Sequence, residues 1–134
     1  MKKILQIILT TYLLSSCVHF QNKHTQAKIV PSSDEFVLGT EDIPLAQGMN
    51  RYSDYHIDYD SGKGSIISVR YESKHEKEDI NLFYITNLPY LGWNIDQVGK
   101  DEINFSRDQQ NLKIRFIDNN DNNLVEFTSS SSLE

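Results

Sequence analysis

Between residues 39 and 128, apolar side chains recur at helical spacing once and at strand spacing on either side of it. The helical stretch is HEKEDINLFYITNL. Ile80, Phe83, Tyr84, Leu88 and Leu91 fall on one stripe, and the acids Glu76, Glu78 and Asp79 occupy the early turns, where the helix dipole favours negative charge. Ser73 to Glu76, SKHE, has capping-box spacing and predicts the helix start. Pro89 disfavours helical geometry at Leu88, Gly92 can take a left-handed turn, and Trp93 opens the next strand. One helix among period-two runs predicts an α+β fold: an antiparallel sheet of about six strands with one amphipathic helix packed on one face, in the order β-β-α-β-β-β-β.

Two strands precede the helix. Ile57 and Tyr59 alternate with His56, Asp58 and Asp60, and Ile67, Val69 and Tyr71 alternate with Ser68, Arg70 and Glu72. DSGKG between them supplies a hairpin turn. Four strands follow, with expected inward sets Trp93 and Ile95; Ile103 and Phe105; Leu112, Ile114 and Phe116; Val125 and Phe127. Their polar loops, GKD, DQQ and DNNDNN, suit an antiparallel meander. Trp93 is expected to be buried between helix and sheet, and Phe83 and Tyr84 to fill the same interface.

The amino terminus reads MKKILQIILTTYLLSSC. Lys2 and Lys3 form a basic start, and Ile4 to Leu14 an apolar run too short to cross a bilayer, which takes about 20 residues. Leu14-Ser15-Ser16-Cys17 matches the lipobox, and here the chain resembles bacterial lipoproteins. The resemblance implies cleavage between Ser16 and Cys17, diacylglycerol on the Cys17 sulfur and acylation of its new amino group. Two or three acyl chains hold stably in a membrane where one does not. Cys17 is the chain's one cysteine, so it has no intramolecular disulfide partner. The expected organisation is a signal peptide over 1–16, a lipidated N-terminus and flexible tether over 17–38, one α+β domain over 39–128 and a disordered tail over 129–134. Leu133-Glu134 could be a non-native addition. Within the tether, Phe36 and Val37 could instead add a short edge strand.

The net charge is −6, and removal of Lys2 and Lys3 makes it more negative by two. Basic residues form no patch, so nucleic acid is not an expected partner. An acidic body is not drawn to anionic lipid, so the membrane is engaged through the acyl chains on Cys17. Among lipoproteins an aspartate after the cysteine favours the inner membrane. Val18 stands there, so the resemblance implies the periplasmic face of the outer membrane.

Residues 41 to 117 also resemble a group of small, uncharacterised Gram-negative envelope proteins. The shared features are an aspartate-x-Pro-Leu start at Asp42, the tyrosine-aspartate-serine hairpin at Tyr59, FYITNLPYLGW at the helix end, and an F.R….L.I pair of strands from Phe105. The resemblance implies a shared fold of one helix on an antiparallel sheet and no activity.

No catalytic constellation is evident, and no cofactor is expected. His56 and Asp58 share a strand face and are chemically able to hold a metal, but Asp60 would lie about 13 Å from His56, so a further ligand such as His75 would be required. A solvated strand face is the simpler reading. Asp118 to Asn123 alternates oxygen ligands as a calcium loop does, yet Ser129 stands where the bidentate glutamate belongs. Gly62-Lys63-Gly64-Ser65 lacks the glycine and the helix of a phosphate loop. His19 and His24 read as solvated tether residues. The expected function is therefore a lipid-anchored envelope lipoprotein acting as a binding or interaction module. Its partner would be an envelope protein, engaged by strand addition, or a cell-wall component, with Tyr52, Tyr55 and Tyr90 as exposed candidates. An envelope hydrolase and a purely structural lipoprotein are the alternatives.

Overall fold

The computed structural model describes residues 29–117 and 123–132. The signal segment, Ser16 and Cys17, the tether to residue 28 with His19 and His24, most of DNNDNN and Leu133-Glu134 lie outside the described residues. The elements are β1 (Pro31–Phe36), β2 (Pro44–Ala46), β3 (Met49–Ser61), β4 (Gly64–Ser73), α1 (Lys77–Asn87), a 3-10 turn (Leu88–Leu91), β5 (Asn94–Val98), β6 (Glu102–Arg107), β7 (Gln110–Ile117) and β8 (Asn123–Ser132). β3 to β8 form one antiparallel sheet in the spatial order β3-β4-β8-β7-β6-β5, and β1 pairs with β2 in a second, two-stranded sheet.

The α+β class holds: one helix lies on an antiparallel sheet. Strand number and order are corrected. Two strands precede the first hairpin, so the described residues hold eight strands in two sheets. The domain accordingly starts ahead of residue 39. Pro31 reads as a breaker, but a proline is tolerated as the first residue of an edge strand. Val37 and Ile43, each 1% exposed, then carry this segment into the core, with Val37 N–H donating to the Ile43 carbonyl at 2.9 Å.

Ile80, Phe83, Tyr84 and Leu88 seat the helix and its 3-10 extension on the sheet. The Tyr84 ring meets Phe127 edge-on at 5.3 Å, and Tyr71 meets Phe127 at 5.7 Å. Both tyrosines also grip the N-terminal segment. Tyr84 donates its hydroxyl to the Pro44 carbonyl at 3.2 Å, and the Tyr71 hydroxyl accepts from Leu38 N–H at 2.9 Å. Burial pushes the Tyr84 phenol far above its ordinary value, so it stays a neutral donor. Gly92, at φ 86°, ends the 3-10 turn in the left-handed region and delivers Trp93 to the core at 2% exposure, as expected.

Several local expectations are corrected. The capping box does not form: α1 begins at Lys77 without a side-chain cap, and the Ser73 hydroxyl instead accepts from His75 N–H at 3.1 Å. Residues 129–132 continue β8, paired to β4 and β7, rather than forming a tail. Ile57 and Tyr59 lie on the face opposite the core. Arg51 pairs with Tyr71, but His56 pairs with Val69, so three extra residues are accommodated between them. An odd insertion reverses which alternate residues face inward. Ile95 and Leu91 are exposed as well, because β5 is the far edge strand and the 3-10 turn rotates Leu91 outward.

Candidate functional site

The registers of β4, β8, β7 and β6 align side chains in rows across the face that carries the helix. Val69, Phe127, Ile114 and Ile103 make one row, and Ile67, Ser129, Leu112 and Phe105 the next. The last row is polar: Ser65, Ser131, Gln110 and Arg107. A single face thus changes from hydrocarbon to hydroxyl, amide and guanidinium over two rows. The segment from Gly39 to Ile43 lies over this polar end and borders a half-open cavity of about 280 Å³, with Trp93 and Arg107 along its wall. Gly64 permits the close approach of β4 to β8 at its rim: at φ 145°, a Cβ there would fall 2.1 Å from the Ser131 carbonyl oxygen.

Arg107 holds the enclosure together. Its two terminal nitrogens donate to the two carboxylate oxygens of Asp42. One of them also donates to the Leu91 carbonyl at 3.0 Å, and the other to Gln110 Oε1 at 2.7 Å, which accepts from Nε at 3.2 Å as well. All the N–H donors of a guanidinium are thereby used. Its plane stands 4.4 Å from the centre of the Trp93 ring. One side chain thus ties the overlying segment, the end of the 3-10 turn, β7 and the buried tryptophan. With Asp42 neutralising it and Glu41 also at the wall, the cavity offers no free cation. Its uncharged polar groups are the Ser65 and Ser131 hydroxyls, 2.9 Å apart and bonded to each other, Ser129 and the amide nitrogen of Gln110. Such a set is chemically able to exchange hydrogen bonds with a small neutral polar molecule and offers no unpaired cation to an anion.

The residues singled out from the sequence lie elsewhere. His56, Asp58 and Asp60 are exposed along β3, in register with Val69, Ile67 and Ser65 on the helix side of the sheet. His75 is at the opposite end of the β3–β4 hairpin, where its Nε2 is 2.9 Å from the Gln47 carbonyl oxygen, and so does not join them. Among the described residues no three histidine, cysteine or acidic side chains group as a metal site. Gly62 and Lys63 form the hairpin loop. Tyr90 is 86% exposed, Tyr52 is half-buried, and Tyr55 is half-buried with the Arg70 guanidinium 3.6 Å from its ring centre.

On the face away from the helix, Glu126 is 5% exposed between two arginines, Arg70 at 2.8 Å and Arg115 at 2.6 Å. Tyr55, Arg70, Glu126 and Arg115 make a band across three strands and one edge. The two guanidiniums share the one Glu126 carboxylate, which reads as a structural tie.

Ser129 and Ser131 escape a sequence reading in which 129–134 is a tail, and Ser65 one in which it only follows a turn. The signal present was the alternation itself: Val125, Phe127, Ser129 and Ser131 continue one face from apolar to hydroxyl. No family model, curated protein or solved structure matches this chain.

Proposed function

We propose that the chain is a lipid-anchored protein of the bacterial envelope, held at the periplasmic face of the outer membrane through acyl chains on Cys17, and that its domain is a binding module for a small neutral polar ligand. The lipobox Leu14-Ser15-Ser16-Cys17 after a basic and apolar leader supports the anchor. The observation that carries the binding reading is the partly covered polar end of the sheet. A cavity of about 280 Å³ suits a molecule the size of a monosaccharide or small amide, and the Ser65, Ser129 and Ser131 hydroxyls and the Gln110 amide nitrogen along its wall can exchange hydrogen bonds with it. Cell-wall material, rich in both hydroxyl and amide groups, is the ligand source this chemistry fits.

Two experiments test the two halves separately. Cys17→Ser is expected to abolish acyl labelling and to release the domain from the membrane fraction. Unchanged fractionation with no acyl label on the parent protein excludes the anchor. For the ligand, Trp93 is the single tryptophan and lies at the cavity wall, so its emission reports occupancy directly. Titration with N-acetylated monosaccharides is expected to shift that emission saturably, and Ser129→Leu to remove the shift. Saturable binding of inorganic phosphate in preference to the sugars excludes the neutral-ligand reading.

A further inference from the structure

β3 is the longest strand, 13 residues, and it ends the six-stranded sheet. Among the described residues no strand pairs with its outer edge. Ile57 and Tyr59 are 47% and 60% exposed on it, and Ile66 of β4, the partner of Tyr59, is 44% exposed beside them. A long edge with apolar side chains and unused backbone groups is a template for another strand.

The hairpin sets which backbone groups are unused. Ser61 and Gly64 close a two-residue loop and direct their N–H and C=O groups at each other. Strict alternation from Ser61 then turns the backbone groups of Asp60, Asp58 and His56 outward. We propose that this edge is a homodimer interface, in which the β3 strands of two copies pair antiparallel about a two-fold axis at Ile57. His56 of each copy then stands opposite Asp58 of the other.

Charge selects this register from its neighbours. An axis at Asp58 sets that carboxylate against itself, and an axis at Tyr59 sets Asp58 against Asp60. The axis at Ile57 gives two histidine–aspartate pairs, each within a hydrogen-bonded backbone pair, and brings Ile57 against its own copy at the non-hydrogen-bonded centre. It also sets Tyr55, already fixed beneath Arg70, against Tyr59 on the face away from the helix. The same parity holds throughout, so outward backbone groups meet outward backbone groups. A closed isologous pair removes the exposed edge from further addition.

The test uses the full chain carrying Cys17→Ser, in which Ile57→Cys is the sole thiol. Non-hydrogen-bonded antiparallel neighbours have Cα atoms about 4.5 Å apart, within disulfide reach. Oxidation is expected to give a disulfide dimer, with Tyr90→Cys as the exposed control that does not. Sedimentation equilibrium is expected to show twice the 15.5 kDa chain mass. His56→Asp should weaken the dimer by roughly tenfold or more, and the double variant His56→Asp/Asp58→His should restore it. A monomer throughout, equal cross-linking at 57 and 90, or no rescue by the charge swap overturns the proposal. Binding of the edge to lipid vesicles in place of self-association overturns it too.

Discussion

Arg107 and Asp42, 65 positions apart, meet through both ends of the guanidinium and both carboxylate oxygens. That contact joins β6 to the segment covering the polar end of the sheet. Arg107→Ala is expected to cost about 1 to 3 kcal/mol, because both partners are partly exposed, and to shift Trp93 emission to longer wavelength as the cover loosens. Asp42→Asn should give a smaller loss. A double-mutant cycle by denaturant unfolding should return a coupling of about 1 kcal/mol; additive losses would show that the pair does not hold the cover.

A chain beginning at Ile29 is expected to melt with the parent, whereas one beginning at Gly39 should melt well below both. The second lacks β1 and Val37, whose burial alone contributes about 1.5 to 3 kcal/mol. In a domain of this size each kcal/mol moves the midpoint by roughly 4 to 8 °C. Equal midpoints for the two truncations would detach β1 from the cooperative fold.

Glu126→Ala leaves Arg70 and Arg115 facing each other with no carboxylate between them. The expected loss is about 2 to 3 kcal/mol, near the low end for a broken buried pair because both arginines reach solvent. Glu126→Gln keeps the shape and should recover part of it. Urea unfolding of the two variants measures the difference, and a neutral alanine variant would contradict the tie.

Asp101 has a depressed pKa, chiefly through its hydrogen bond from Lys77. A carboxylate depressed on folding adds stability above its unfolded value, and that share is lost as pH falls through the folded one. Asp101→Asn should therefore melt slightly below the parent near neutral pH and converge with it well below the ordinary aspartate value of 3.8. Thermal melts at the two pH values decide it. A gap that persists in acid would assign the effect to something other than the charge.

The helix, its end at Pro89 and Gly92, the burial of Trp93 and the inward sets of β6, β7 and β8 were legible because each is written in local chemistry. Period and turn residues suffice for those. The faces of β3 were not, since period two states that residues alternate without stating which set turns inward. The three-residue excess between Arg51 and His56 decided that, and only the pairing with β4 exposes it. β1 was half legible: Phe36 and Val37 allow a short edge strand, while Pro31-Ser32-Ser33 masks its start, and that turn-forming character yields to Val37 and Ile43 in the core. The cavity was hidden for a related reason. Ser65, Ser129 and Ser131 are unremarkable singly and become a site only when three strands set them side by side.

With the anchor at Cys17, the entry of the chain into the fold at Ile29 shortens the leash. Eleven residues separate the two, and covalent geometry limits them to about 40 Å at full stretch. With Cys17 lipidated as proposed, the domain would be kept to a thin layer against its membrane. Tension on that leash arrives first at Val30, whose carbonyl accepts from Gln47 N–H at 2.9 Å, and then at Pro31, opposite Ala46, the open end of the β1–β2 pair. Force applied there peels the ladder apart one bond after another. The small sheet would act as a mechanical fuse, yielding before the six-stranded sheet bears load.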